Sequence, residues 1–302
     1  MKWFVWLFAI VCCLVLSAEE PVRTWTSLDG SAIKASFVEF ADDKVVIRRD
    51  DGRSFKVSPT IFSEEDRKYL DGLRAKPNPI QEIAPDAPIL FKDAKLEAAV
   101  RKELKKPEGA FLRGDLTMLE SLAAPQAGIT SLAGLEHATN LTKLMLWNNQ
   151  ITEITPLANL TKLTSLNLSL NQIDEVTSLS KLTNLTKLNL TRNKITNAAP
   201  LAGMTKLTHL ELAHNQITDA GPLANLINLT LLDLSPNKIS DATPLAKLTK
   251  LDTLDLGYNS IADGTPLTNL TNLTLLLLAK NPIPDAQKTV LKEALPNCRI
   301  LF

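Results

Sequence analysis

Net charge is the first thing this 302-residue sequence lacks, because 33 basic side chains cancel 33 acidic ones. A neutral chain exerts no general electrostatic pull on nucleic acid or anionic lipid, so any partner has to be recognised locally. Cysteine is scarce as well. Cys12 and Cys13 fall within the first eighteen residues and Cys298 stands alone near the far end. Once the leading segment is removed no disulfide pair is available, and the core alone must hold the fold. The longest apolar run, Trp3 to Leu16, has 14 residues, short of the roughly 18 that a membrane-spanning helix needs. A phosphate-binding glycine loop, a paired CxxC and an HExxH helix are all missing, so the usual signatures of nucleotide, redox and metalloprotease chemistry are not there.

What is present begins with that run. Lys2 precedes it, and Ser17 and Ala18 follow it ahead of Glu19 and Glu20. The pattern reads as a signal peptide over 1–18 cut after Ala18, which predicts an exported protein, periplasmic, secreted or cell-surface, with no stable membrane span after cleavage. An uncleaved anchor is the alternative, because Leu16 is large for a residue two before the cut. No small residue precedes Cys12 or Cys13, which argues against a lipoprotein.

A strict internal repeat governs the second half. Leu119, Leu141, Leu163, Leu185, Leu207, Leu229, Leu251 and Leu273 are spaced by 22 residues, and an Ile follows each of them ten places on, from Ile129 to Ile283. Within a unit such as Leu163 to Leu168, apolar residues at alternate positions predict a short strand with one buried face. Asn149, Asn171, Asn193, Asn215, Asn237, Asn259 and Asn281 recur just after it, where an inward amide satisfies backbone groups of neighbouring turns. Behind the strand, Thr155-Pro156-Leu157, Thr243-Pro244-Leu245 and Thr265-Pro266-Leu267 place a capping hydroxyl before Pro at a first helical position, predicting a short helix or 3-10 turn. One unit cannot bury its leucines alone, so the units stack with parallel strands about 4.8 Å apart. Asp93 to Lys106, with Leu96, Val100 and Leu104 on one face, is expected to cap the first edge over residues 90–118. A helix over Lys288 to Leu295 and a strand over Cys298 to Phe302 are expected to close the second edge of 119–302.

The string LTKLTSLNLSLNQIDEVTSLSKLTN resembles the internalin-like class of bacterial leucine-rich repeats, and DAKLEAAVRKEL resembles the helical cap of such proteins. The resemblance implies an α/β leucine-rich-repeat solenoid, with a parallel inner sheet and short helices or 3-10 turns on the back. No sortase-type anchor is recognised near Phe302, which speaks against a cell-wall-attached invasin.

Between Val22 and Leu73 the pattern changes to short alternating runs, at Arg23 to Ser27, Ile33 to Phe40, Lys44 to Arg49 and Arg53 to Val57, with hairpin turns at Asp29-Gly30 and Asp51-Gly52. Ser63 opens a helix through Leu70 whose first turn holds Glu64, Glu65 and Asp66. The run from Arg23 to Leu70, with Trp25, the two Asp-Gly turns and the Ser-x-x-Asp helix start, resembles Sla-type homology domain 1, known from an endocytic adaptor. That likeness implies a small SH3-like β-barrel over 19–73 and a peptide motif as its ligand. Read as residues alone, Trp25, Phe37, Phe40 and Phe55 are barrel core. Residues 74–89, with Pro77, Pro79, Pro85 and Pro88, read as an extended linker.

On the solenoid, side chains beside the framework leucines face outward. One column runs Met145, Asn167, Asn189, Glu211, Asp233, Asp255 and Leu277. Its three adjacent carboxylates repel one another, and His209, two residues before Glu211, shares their face. His209, Glu211 and Asp233 are therefore weak candidates for a metal site, set against a solvated acidic strip. A triad of Ser235, Asp233 and His209 fails because His209 and Asp233 are diagonal on the sheet. Trp147, Arg192, His214 and Tyr258 line the rim beside the sheet, where such residues anchor partners, although Trp147 packed under the cap is an equal reading. A second acidic column, Glu153, Glu175, Asp219, Asp241, Asp263 and Asp285, follows each Ile and is explained by turn geometry, with calcium as the minor alternative. Eight Asn-x-Ser/Thr sequons, Asn140, Asn184 and Asn272 among them, are by-products of the repeat placed in strand or packing positions. Cys298 reads as a buried thiol.

The expectation is a non-enzymatic interaction protein without a cofactor, binding a protein or glycan on the concave face and carrying no nucleic acid. The competing readings are a structural spacer in the envelope and a carbohydrate- or metal-binding repeat protein.

Overall fold

The structure is a computed structural model that describes residues 23–41, 44–49, 53–75 and 88–302. The signal segment 1–18, the Asp51-Gly52 turn and most of the proline-rich linker lie outside the described residues. The chain divides into two compact units, 1–83 and 84–302.

In the first unit, β1 (Arg23–Thr26), β2 (Ala32–Ala41), β3 (Lys44–Arg49) and β4 (Ser54–Val57) form an antiparallel sheet in the order β1-β2-β3-β4. Gly30 takes the positive φ of 84° that the first hairpin turn needs. After β4, a 3-10 turn over Pro59–Ile61 leads to Phe62, which bridges back to Ser27 beyond the end of β1. Helix α1 (Glu64–Ala75) follows. Its anchor is Asp66, a buried carboxylate that accepts from the backbone N–H of Thr26 at 2.7 Å and from Ser63 Oγ at 3.0 Å, and pairs with Arg23 at 2.8 Å. Trp25, Ala35, Val45, Ile47, Phe62 and Leu70 make the core, and the Trp25 indole donates to the carbonyl of Ala35 at 2.9 Å. Two expectations change here. The described strands form a four-stranded antiparallel sheet whose outer strands β1 and β4 are not paired with each other, so a closed barrel is not what they show. Phe55 is not core: it is 38% exposed on the rim of an apolar cavity.

The second unit opens with helix α2 (Ala94–Glu103). Asp93 caps it, accepting from the N–H groups of Lys95 at 2.8 Å and Leu96 at 3.1 Å through one oxygen. Its other oxygen accepts from the N–H and hydroxyl of Thr130 at 2.7 and 2.8 Å, tying the helix to the first repeat. Leu96 and Val100 bury against the repeat core with Phe111 and with Leu116 of the short helix α3 (Arg113–Thr117). Ile89 pairs with Phe111, so the cap takes in Ile89. Gly134, at φ 104°, leaves room for the Phe91 ring, which an added Cβ would meet at 2.8 Å.

Nine parallel strands follow. They are β5 (Ser121–Ala123), β6 (Lys143–Met145), β7 (Ser165–Asn167), β8 (Lys187–Asn189), β9 (His209–Glu211), β10 (Leu231–Asp233), β11 (Thr253–Asp255), β12 (Leu275–Leu277) and β13 (Arg299–Leu301), side by side in chain order. Three residues form each strand, the central Leu buried and the flanking pair turned to the concave face in β5 through β12. Every framework Leu and Ile from Leu119 to Ile283 joins one continuous core, the arrangement in which each coil buries only against its neighbours.

The asparagine ladder is present. Asn193 accepts from the Ile173 N–H at 3.0 Å and donates to the carbonyls of Leu168 and Leu190 at 3.0 and 2.9 Å. The same three links recur at Asn149, Asn171, Asn215, Asn237, Asn259 and Asn281. The back of each coil is a 3-10 turn, such as Thr155–Leu157 or Thr243–Lys247. The capping hydroxyl expected at Thr155, Thr243 and Thr265 is not found, since each is the first residue inside its turn. Instead Asp219, Asp241 and Asp263, two residues earlier than the first turn residue, accept its N–H at 2.7, 2.8 and 2.9 Å. That gives these three members of the second acidic column a structural task. Helix α4 (Asp285–Ala294) starts three residues before the expected Lys288 and, with β13, covers the last repeat. Cys298 is half-buried rather than buried, and burial first, with the nearby Asp252 adding, pushes its thiol above the ordinary range.

Candidate functional site: the concave sheet and its rim

Register decides which sequence candidates meet. Asn189, Glu211, Asp233 and Asp255 are direct partners along β8, β9, β10 and β11, so the three carboxylates stand on consecutive strands. His209 pairs with Leu231, one place off the acidic column on the same face. Leu231, Leu275 and Leu277 add apolar surface beside it, each half-buried.

The acidic column is not evenly solvated. Asp233, in its middle, is pushed up to about 6, first by burial, then by the negative Asp255 and Glu211, against one stabilising N–H from Ser235. Two neighbours relieve the crowding: the Asn189 amide donates to Glu211 at 2.9 Å, and Asp255 accepts from the Gly257 N–H at 2.8 Å. Histidine does not complete a cluster. His209 Nδ1 is engaged with Thr208 Oγ1 at 2.9 Å, and among the described residues no three His, Cys, Asp or Glu side chains come together as metal ligands. For the weak metal candidates His209, Glu211 and Asp233, one diagonal imidazole and a stack of in-line carboxylates give no converging ligand set in this arrangement.

The rim residues share a feature that the sequence concealed. Arg192, His214 and Tyr258 have φ of 55°, 53° and 52°, and Gln126, Asn148, Leu170 and Lys280 at the equivalent place are also left-handed. This conformation costs an L-residue roughly 1 kcal/mol or more, and it swings each side chain out from the sheet edge. Arg192 and His214 are exposed on adjacent coils, and Tyr258 is 60% exposed two coils further on. Pro236, whose ring excludes positive φ, interrupts the row. Trp147 is half-buried, one place before the left-handed residue of its coil. It follows β6, three strand spacings from Glu211 or about 14 Å, so Trp147 is not part of the carboxylate group.

Sequence reasoning missed a second ladder. Lys162, Lys206 and Lys250 donate to the side-chain oxygens of Asn140, Asn184 and Asn228 at 2.6, 2.7 and 2.7 Å, one coil back. Those asparagines precede the strands and spend their amides on the carbonyls of Thr117, Thr161 and Thr205. Asn140 and Asn184 are thus flank residues and not strand positions, as is Asn272, which donates to Thr249. The signal was available as Asn and Lys alternating at one place every 22 residues.

Comparisons agree with this geometry. The family model described as leucine rich repeats (2 copies) matches residues 139–181, 161–203 and 205–247. Internalin C2 of Listeria monocytogenes is similar to this chain at 39% identity, over 72% of this chain and 97% of its own, with a TM-score of 0.67. The chain belongs to the internalin-like leucine-rich-repeat proteins. A second Listeria internalin, internalin F, is 30% identical over 72% of this chain and 77% of its own, with a TM-score of 0.50. A leucine-rich-repeat protein of Leptospira interrogans is 30% identical over 62% of this chain and 50% of its own, with a TM-score of 0.56. Among curated proteins none matches. Internalin-like repeats are protein-interaction scaffolds rather than enzymes, and no helix among the described residues is long and apolar enough to cross a membrane.

Proposed function

We propose that this internalin-like protein is a non-enzymatic binding protein of the bacterial envelope or exterior, and that it takes a protein partner on its concave face. The observation that carries this reading is the contrast between framework and face. The inward Leu, Ile and Asn columns hardly change, while the outward columns change chemistry from coil to coil: Met145, amides at 167 and 189, carboxylates at 211, 233 and 255, then Leu277. A surface needed only for stacking has no use for a row of crowded carboxylates beside exposed Tyr258, Arg192 and His214. Export follows from reading 1–18 as a signal segment, with residues 74–89 as the linker between the two units. In the first unit, the 3-10 turn and the Ser27–Phe62 bridge support reading the sheet as an SH3-like module of the Sla-type homology class. The apolar cavity between Trp25, Ile33, Phe55, Val57 and Ile61 supports a peptide as its ligand.

The test is capture of partners from envelope and culture extracts by the parent chain and by a variant combining Trp147→Ala, Glu211→Ala, Asp233→Ala and Asp255→Ala, with unchanged circular dichroism. A protein held by the parent and lost by the variant is expected. Equal capture by both overturns the concave-face assignment.

A further inference from the structure

In each 22-residue coil the chain leaves the concave sheet on one side, crosses the back in a 3-10 turn, and returns on the other side. The solenoid therefore has two long flanks, and charge is sorted between them. The outgoing flank holds Glu153, Asp174, Glu175, Asp219, Asp241 and Asp263, all exposed, against Lys194 and Lys238 and, nearer the sheet, Arg192 and Lys280. The returning flank holds Lys162, Lys181, Lys206, Lys247 and Lys250, all exposed, with the exposed carboxylate of Asp252 two residues after Lys250.

Part of each row is held in place. Asp219, Asp241 and Asp263 are fixed by turn N–H groups, and hydrogen bonding from Thr243 and Thr265 holds Asp241 and Asp263 below the usual carboxylate range. Lys162, Lys206 and Lys250 are fixed by asparagine oxygens one coil back. Ordering exposed charged side chains is a main cost of pairing them across an interface, and here that ordering is already present. The spacings are commensurate as well: acidic positions recur on nearly every coil, about 4.8 Å apart, and these lysines on every second coil, about 10 Å apart.

We propose that the solenoid associates side by side with a second copy of this chain, the outgoing acidic flank of one copy against the returning basic flank of the next. Zero net charge removes long-range repulsion between copies. The two flanks differ, so the contact is heterologous and extends to a third copy or closes a ring, leaving every concave face open. Single exposed ion pairs contribute little. The association is the sum over the rows and is screened by salt over a Debye length of about 8 Å at physiological ionic strength.

Sedimentation velocity on the full chain tests this with two charge reversals. One variant carries Lys162→Glu, Lys206→Glu and Lys250→Glu; the other carries Glu153→Lys, Asp174→Lys and Glu175→Lys and keeps the three turn-capping aspartates. The parent is expected to form species larger than a monomer at low ionic strength, with association weakened about tenfold or more when the Debye length is shortened to roughly 5 Å. Each variant alone is expected to stay monomeric, and an equimolar mixture to form a pair, because the intact acidic flank of the first meets the intact basic flank of the second. Circular dichroism and an unchanged thermal transition establish that both variants fold. A parent that is monomeric at low salt overturns the proposal. So does association that survives in either variant alone, or a mixture that fails to pair.

Discussion

The side-chain oxygen of Asn193 accepts the backbone N–H of Ile173, 3.0 Å away and 20 residues earlier in the chain. Through its amide the same residue reaches the carbonyls of Leu168 in the preceding coil and Leu190 in its own. Replacing Asn193 by Ala strands the Ile173 N–H inside the core, while the two carbonyls each keep one donor, Leu168 from Asn171 and Leu190 from Asn215. An unsatisfied buried N–H costs about 1–3 kcal/mol, so a loss of roughly 2 kcal/mol is expected. Guanidinium denaturation followed by circular dichroism reads it. A loss under about 1 kcal/mol means that the ladder is ornamental.

Asp233 gives a pH-dependent prediction of unusual sign. Its carboxyl is pushed up to about 6 in the fold, against about 3.9 in an unfolded chain. Between these values the native state binds the extra proton, so stability falls as pH rises from about 4 to about 6. Asn167 and Asn189, at the same place on earlier coils, accept the same turn N–H that Asp233 accepts from Ser235. Asp233→Asn therefore keeps the hydrogen bond and removes the charge. After allowance for solvent screening it is expected to stabilise the protein by about 1 kcal/mol at pH 7, with no gain below pH 4. Paired unfolding curves at pH 3.5 and 7 check this, and an equal gain at both rejects the charge explanation.

Asp93 has the opposite sign. Burial raises its carboxyl, but hydrogen bonds from Thr130, Leu96 and Lys95 outweigh that and hold it at about 2. Its contribution is full above the unfolded value of about 4 and is lost as pH falls towards 2. Asp93→Ala removes both the α2 cap and the link to Thr130, and is expected to cost about 2 kcal/mol at neutral pH. Hydrogen exchange should show the loss first in the amides of α2 and of the first repeat. Uniform loosening of all nine strands contradicts that assignment.

Leu170 tests the strained rim. It is left-handed at φ 56° and 40% exposed, so its side chain contributes little burial to offset the backbone cost. Asparagine tolerates that conformation better than leucine. Leu170→Asn is expected to raise stability by about 0.5–1 kcal/mol, read as a shift in the denaturation midpoint. A destabilised variant shows that the Leu170 side chain packs to more effect than its exposure suggests.

How much of this was legible varies from element to element, and for physical reasons. The strands at Ser165–Asn167 and its counterparts could be placed because burial on one face leaves a period-two mark, and the 22-residue return of Leu and Ile repeats that mark. Asn149 to Asn281 could be assigned an inward task because one polar residue at one place in an apolar frame must satisfy something. The left-handed rim left no such trace. Gln126, Asn148, Leu170, Arg192, His214, Tyr258 and Lys280 share no chemistry, only a backbone path imposed by the coil. Thr243 and Thr265 were mistaken for caps because Thr before Pro fits a capping pattern. The turn in fact begins at Thr, which moves the capping task to Asp241 and Asp263.

By itself the sequence determined the coil: its length, its inward residues, the direction in which strands stack and the family to which the chain belongs. Those properties depend on hydrophobic periodicity and chain connectivity, which are local and repeat. The tertiary structure alone decided what the outward residues do, because that depends on distances between coils. It left Asp233 half-buried beside Glu211 and Asp255, set Trp147 apart from them, gave the rim its left-handed path, and sorted lysines and carboxylates onto opposite flanks. Electrostatic coupling acts through space within a few ångströms, and residues 22 apart in the chain become neighbours only when the solenoid closes its stack.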